Sequence, residues 1–392
     1  MNKKLLTLAI AGALVPFALP ATAMAAVTVS GYANISADSL NSGTGTGAAS
    51  GVKHSGSFVS SNATNLDINA DTDLGDGLKA LFSSQTFLSL GSDNNPSPAN
   101  PAAAGFNYDQ FSDGNTYAGL EGNFGTVAAG HNDSPMKQLG RAVDLFGNEI
   151  GDSRNIINAP ATSAPIVGYH GTYGFDQRPG HTLFYVSPEM GGVTVKAAYT
   201  MENSAVNGVN ASGLSGTPTQ IPVGKGSESS VSAVYNQGPL LAGLAYEYHS
   251  ASMYGATNGE SAVRAAAGLN IDPVRITALY QHDSDLGGVS SASLNVWGLG
   301  AAYTFIPNYA VKAQYYGAAN IGGTTNTGAH MVAVGLTHTF SKQASAYLDY
   351  AKTYNQTEAA YNVAGGGHGN VVALPSAGAD PYGISLGMIY TF

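Results

Sequence analysis

The 392-residue sequence contains no cysteine, which excludes disulfide scaffolds, thiolate zinc and Fe–S sites and cysteine nucleophiles. Charge is scarce too. Asp, Glu, Lys and Arg together make up 10% of the chain, against roughly 25% in soluble domains. Bases are the rarer sign, 15 against 25 acids, for a formal charge of −10. A protein that binds phosphate backbones needs the opposite excess, so nucleic acid is not an expected partner. Beyond the N-terminus no apolar run approaches the ~20 residues that a membrane-spanning helix requires. Glycine and tyrosine, by contrast, are abundant, with 51 and 22 residues in a chain that is 44% hydrophobic. Such a chain can bury a core, and its composition favours short strands joined by tight turns.

The N-terminus reads as an export signal. Lys3 and Lys4 precede an apolar stretch from Leu5 to Leu19, and Ala23-Met24-Ala25 supplies the small-x-small cleavage pattern. Pro16 and Pro20 break the stretch, which is also too short to span a bilayer. Residues 1–25 are therefore expected to be removed, leaving 26–392 as one domain. Losing two lysines takes the formal charge from −10 to about −12. An exported chain without a helical span is either soluble or inserted as a closed barrel, which satisfies every backbone group between strands.

Period-two alternation recurs throughout the mature chain. Val274, Ile276, Ala278 and Tyr280 share one parity, opposite Arg275, Thr277, Gln281 and Asp283. Val311, Ala313 and Tyr315 alternate with Lys312, Gln314 and Tyr316, and Leu244, Tyr246 and Tyr248 alternate with Glu247 and His249. Leu78, Ala80 and Phe82 alternate with Lys79, Ser83 and Gln85. Each strand thus has an apolar side and a side able to carry charge. Short connections hold turn residues, as in Gly75-Asp76-Gly77, Gln237-Gly238-Pro239 and Asp272-Pro273. They alternate with long Gly-, Ser- and Asn-rich stretches at 39–60, 91–113, 202–228 and 356–379. Counting between them gives about sixteen strands, with tight turns at one end and long loops at the other. The fold expected is all-β: a transmembrane antiparallel barrel whose first and last strands, 27–38 and 380–392, close the sheet. Sixteen strands leave an aqueous channel rather than a packed core. Aromatics near strand ends, such as Tyr303, Phe305, Tyr309, Phe340, Tyr390 and Phe392, then form interfacial girdles.

These segments resemble the general porins of Gram-negative bacteria, in particular the beta-proteobacterial group. Val27-Thr28-Val29-Ser30-Gly31-Tyr32 is similar to their first strand, and Asp73 to Ala80 to their first hairpin. Tyr117 to Leu120 with Phe124 to Val127 resembles strands four and five. Gly151-Asp152-Ser153-Arg154-Asn155 resembles the end of the third loop, and Tyr185-Val186-Ser187-Pro188 the end of strand six. The alternating residues ending Met388, Tyr390 and Phe392 resemble the signal read by the outer-membrane assembly machinery. The resemblance implies a homotrimer in the outer membrane, in contact with lipid and lipopolysaccharide, passing ions and small hydrophilic solutes by passive diffusion. It also implies an inward-folded third loop, here from about Asn132 to Pro165, that narrows the pore with acids set against wall bases. Asp144, Glu149, Asp152, Arg154, Arg141, His131 and Lys79 are the constriction candidates on this reading, and the opposed charges would create a transverse field.

The chain departs from that pattern on the wall. Asn65 and Asn69 stand where relatives often carry Arg and Lys, and His131 replaces another Arg. Weak cation preference or near-neutral selectivity is the expectation that follows. His131, with an unperturbed pKa of about 6.5, is hypothesised to add positive charge at acidic pH; coinciding reversal potentials at pH 5 and pH 8 would sink this.

No catalytic, cofactor or metal site is read from the sequence. Gly383-Ile384-Ser385-Leu386-Gly387 matches the G-x-S-x-G elbow, but no His follows and the segment alternates as a strand. Asp71, Asp73 and Asp76 fail the calcium-loop pattern, since Gly75 holds the fifth position. Glu247 and His249 share an inward strand face. Two other channel-like readings remain, a solute-selective pore and a plugged structural or adhesive barrel, the latter predicting no conductance. A secreted soluble β-solenoid would need a constant-period repeat, and none is found.

Overall fold

Alternation in the sequence becomes alternation in exposure. In the computed structural model, residues 26–45, 55–90, 111–158, 174–201, 226–251, 258–369 and 375–392 are described. The N-terminal 25 residues and parts of the long loops lie outside them. The strands are β1 (Ala26–Asn41), β2 (Ser55–Ser61), β3 (Asn65–Gly75), β4 (Leu78–Phe87), β5 (Thr116–Gly122) and β6 (Gly125–His131). They continue with β7 (Thr182–Val186), β8 (Val193–Thr200), β9 (Glu228–Gln237), β10 (Leu240–His249), β11 (Glu260–Ile271) and β12 (Val274–Ser284). Last come β13 (Leu294–Ile306), β14 (Tyr309–Ala318), β15 (Ala329–Thr339), β16 (Ala344–Asn355) and β17 (Tyr382–Thr391). No described helix is long and apolar enough to cross a membrane.

All pairings are antiparallel between sequential neighbours, and β1 pairs with β17, from Tyr32↔Thr391 to Asn41↔Tyr382. The sheet is therefore a closed barrel. Its 17 segments make 16 staves, because β2 and β3 pair with successive stretches of β1. Ile35↔Ser61 and Tyr32↔Asn65 bracket two residues on β1 but three on the other side, so one residue is bulged. Ala63 takes the left-handed conformation there, with φ 49°. Asn34 and Thr64 bridge the gap, the Thr64 Oγ1 accepting from Asn34 N at 3.0 Å.

The outer face is an apolar band. Leu244, Ile276, Leu299, Val334, Leu348 and Leu386 are all exposed, as is the terminal Phe392. Exposed leucines on every side make no sense in water and are what hydrocarbon contact requires. Gly31 marks the seam of closure: a Cβ there would lie 2.3 Å from the Phe392 ring, while Gly31 N donates to Phe392 O at 2.9 Å.

The hydrophobic core lies inside the barrel, in two clusters that leave the inner face of β3 out. Small wall residues such as Ala245, Ala262 and Ala266 pack with Met136, Leu139, Val143, Ile156, Ile157 and Phe175 from the β6–β7 connection. A second cluster joins Phe146 and Ile150 to Ala333 and Ala351. The inner face of β15 (Ala329, Met331, Ala333) carries no charge, which departs from the expectation that every strand has one chargeable side. Alanine gives room for a loop to settle on the wall.

Candidate functional site

The connection between β6 and β7 spans residues 132–181, longer than the expected end near Pro165, which itself lies outside the described residues. Its returning limb, 174–181, adds Phe175, Asp176 and Arg178 to the interior. Helix α1 (Pro135–Arg141) starts at Ser134, whose side chain accepts from Lys137 N at 3.2 Å, with Pro135 where its missing N–H costs nothing. A short α2 (Arg154–Ile157) follows. Both helices pack on side chains of β8–β11 and β14–β15 that point away from the exposed outer band.

Wall bases hold this segment. Arg264 on β11, fully buried, donates to Asp176 Oδ1 at 2.6 Å, Met136 O at 2.9 Å and Gln281 Oε1 at 2.7 Å. Arg275 donates to Ala142 O at 2.8 Å, closing the exposed carbonyl end of α1. Lys312 on β14 pairs with Glu149 and lies over the Phe146 ring, 4.1 Å from its centroid. Gln314 donates to Asp144 Oδ1 at 3.0 Å and Gly151 O at 2.8 Å, and accepts from Leu145 N at 3.1 Å. Gly151 is a point of close approach between loop and wall. At φ 80° it leaves no room for a side chain, since a Cβ would lie 2.6 Å from that of Ala333.

Five of the seven charged candidates meet here: Asp152 is paired with Arg141 and Arg154, Glu149 with the wall residue Lys312, and Asp144 is held by neutral donors. Asp152, with no exposed surface, accepts from Arg141 Nη1 at 3.0 Å, Asn148 N at 2.7 Å, Arg154 N at 2.9 Å and Arg154 Nη2 at 2.6 Å. Burial alone would raise its carboxyl, but Arg154 and Arg141 hold it below the ordinary range. Asp144 accepts from Phe146 N at 2.9 Å and from Ser153 N and Oγ at 3.0 and 2.9 Å. Burial and then the neighbouring Asp152 charge push it up to about 6. Asp133 joins Lys137 at 2.8 Å and Arg178 at 2.7 Å. Burial brings Lys137 down to about 8 despite that partner.

Lys79 and His131 are elsewhere. Lys79 sits beside the short β3–β4 turn, 3.9 Å from Asp71 and about half exposed. His131 has the parity of Val127 and Ala129 on the outer face, pairs with Thr116, and its Nε2 meets the Arg178 carbonyl. Sequence reasoning did not single out Lys312, Gln314 or Asp176. Inward parity on β14 was the available signal for the first two.

Across the interior, the inner residues of β3 are half-buried and polar: Asn65, Asp67, Asn69 and Asp71, ending with Asp73 exposed near the turn. In the ladder they pair with Tyr32, Ser30, Thr28, Gln85, Ser83 and Lys79. The barrel interior is thus split into a packed part under the loop, which takes in the buried inner face of β1 from Asn34 to Leu40, and a wetter part along β3–β5 and the start of β1.

A lipid-facing sixteen-stave barrel with such an interior is a channel protein. The profile of the Gram-negative porin family matches residues 7–358, and the chain belongs to that family. It is an outer-membrane porin, forming a channel for passive diffusion. Among solved structures it is similar to an anion-selective porin from Comamonas acidovorans (20% identity, TM-score 0.70, covering 94% of this chain and 100% of that one). It is also similar to OmpT of Vibrio cholerae in a trimer form (13%, TM-score 0.57, 94% and 99%) and to Salmonella typhi OmpF in complex with daunomycin (14%, TM-score 0.56, 93% and 97%). No curated protein sequence matches the chain.

Proposed function

We propose that ions and small hydrophilic solutes pass along the β3–β5 wall, that the loop segments 132–158 and 174–181 narrow the path from the other side, and that the channel weakly prefers cations. The carrying observation is the water-exposed acidic row Asp67, Asp71 and Asp73 on β3, across from a loop most of whose charges are ion-paired, Asp144 being held by neutral donors instead. Unpaired charges that meet water set the local potential, whereas neutralised pairs contribute mainly dipoles. The anion selectivity named for the Comamonas porin is not carried over, because acids outnumber bases among the charged residues that meet water along β3–β5. Arg141, whose side chain keeps 29% of its surface, is the loop's contribution of positive charge to the path.

The same reading includes a mature chain beginning at Ala26, a homotrimeric assembly like the trimer form of the Vibrio protein, contact with lipopolysaccharide, recognition of Met388, Tyr390 and Phe392 by the assembly machinery, and no catalytic activity. Those three terminal residues all face outward and are about half exposed, which leaves them accessible to an assembly factor before insertion.

Planar-bilayer recordings in a KCl gradient test the proposal. Steps in groups of three with a reversal potential of cation sign are expected. An anion-sign potential would overturn the selectivity reading, and a tight membrane with folded protein would overturn permeation itself.

A further inference from the structure

The inner wall of β9–β11 carries a cluster that permeation does not explain. Ladder register places Glu228 opposite His249 and His249 opposite Glu260, while Glu247 lies two residues before His249 on the same face. All four side chains are buried, none more than 2% exposed. The imidazole stands at the centre. Its Nε2 is 3.2 Å from Glu247 Oε1 and 3.9 Å from Glu228 Oε2, and its Nδ1 is 2.8 Å from Glu260 Oε1. The Phe175 ring from the returning limb of the loop stacks on it, centroids 4.9 Å apart and planes at 20°.

Two features set this cluster apart from an ordinary buried ion pair. Glu228 Oε2 and Glu247 Oε2 are buried without a hydrogen-bond partner, and the former points toward the imidazole. Neither Glu228 nor Glu247 is ion-paired to a Lys or Arg among the described residues. Three ionised carboxylates around one imidazole would leave at least two negative charges uncompensated by the cluster itself, a costly state in a dry site that a bound cation or an added proton relieves. The second feature is orientation. Glu260 is itself fixed, its Oε2 accepting from Gly287 N at 2.9 Å. It therefore holds the Nδ1 side of His249 and turns Nε2 toward the other two acids. A carboxylate that accepts from one ring nitrogen while the other faces oxygen donors is the supporting arrangement of metal-bound histidine.

We propose that Glu228, Glu247 and His249 bind one divalent transition-metal cation of the zinc class, with Glu260 orienting the imidazole. The candidate ligand atoms lie within 4.8 Å of one another. A tetrahedral site with bonds of about 2.1 Å needs separations of roughly 3.4 Å, so an inward rotation of the glutamates brings the three ligands into range and a water would take the fourth position. Two oxygens and one nitrogen suit zinc and its neighbours. Calcium and magnesium favour larger all-oxygen sets. The metal's role is structural: its ligands join β9 to β10, Glu260 links the imidazole to β11, and the Phe175 ring of the returning limb stacks on that imidazole.

The test is zinc content of the detergent-purified, folded barrel after loading with ZnCl2 and exhaustive buffer exchange. One zinc per chain is expected. Glu247→Gln and His249→Gln should weaken binding by 100-fold or more, and Glu260→Gln by about 10–100-fold. Barrel folding is checked by heat-modifiable gel mobility. Equal zinc content in the wild type and Glu247→Gln would assign the metal to other histidines and overturn the proposal, as would a folded wild-type barrel that retains none. If the variants do not fold, wild-type melting decides: a midpoint raised by ZnCl2 and lowered by chelator supports the site, and coincident curves overturn it.

Discussion

Along β11 and β15 the inward side chains are sealed beneath the third loop, whereas along β3 they stand half exposed to the lumen. Both walls derive from the same alternating pattern, yet charge does different work on each. On the sealed side Arg264, Lys312 and Asp152 each have two or more polar partners, and their value lies in fixing the loop. On the open side Asp67 and Asp73 have no basic partner within ion-pair distance among the described residues, and Asp71 reaches Lys79 only at 3.9 Å. On the selectivity proposed above, paired charge shapes the path and unpaired charge selects what uses it.

The largest effect should come from breaking the sealed side at its most connected group. Asp152→Ala leaves Arg141 and Arg154 without their carboxylate, and removing one partner of a buried pair costs roughly 3–5 kcal/mol. The loop should lift from the wall, at least doubling single-channel conductance and lowering the melting midpoint. Conductance equal to wild type would show that the loop is held by its apolar contacts alone. Gly151→Val attacks the same contact sterically. With Ala333 in the way and a φ of 80°, overpacking of about 1–3 kcal/mol is expected, with a smaller gain in conductance than for Asp152→Ala.

Much of this division was beyond the reach of sequence reading, for identifiable reasons. Strand alternation, the tight turns at Gly75-Asp76-Gly77 and Gln237-Gly238-Pro239, and closure between β1 and β17 all follow from local pattern, and the structure places them accordingly. The loop candidates Arg141, Asp144, Glu149, Asp152 and Arg154 also come together. Their pairing, however, depends on how a 50-residue connection folds back, and periodicity does not encode that. Parity identifies Lys312 as inward but cannot say that the loop covers it. For His131 parity was the missing argument: Val127 and Ala129 face outward, so the same step of two carries His131 with them. The Glu228–His249–Glu260 row needs the inter-strand register, which no single strand contains.

On the open side the expected change is in selectivity rather than stability. Asp67→Asn with Asp71→Asn should move the reversal potential toward the anion side by several millivolts in a tenfold KCl gradient. Both positions are solvated, so the melting midpoint should shift little, with stability staying within about 0.5 kcal/mol per site. A large loss of stability with no change in potential would invert the roles assigned to the two walls.

The smallest effect, and the one that separates the walls most finely, is in pH. With Asp144 held at about 6, its charge is present at pH 7.5 and absent at pH 5, so cation preference should fall as pH drops through about 6. Its stability contribution runs the opposite way: a carboxyl raised above the ordinary range favours the folded state below about pH 4, and that favour is lost as pH rises through 6. Asp144→Asn should flatten the dependence of reversal potential on pH. His131→Ala should leave it intact, because that ring stands on the outer parity, bonded to the Arg178 carbonyl. If His131→Ala flattens the curve and Asp144→Asn does not, the titrating charge belongs to the β6 end of the wall and not to the loop.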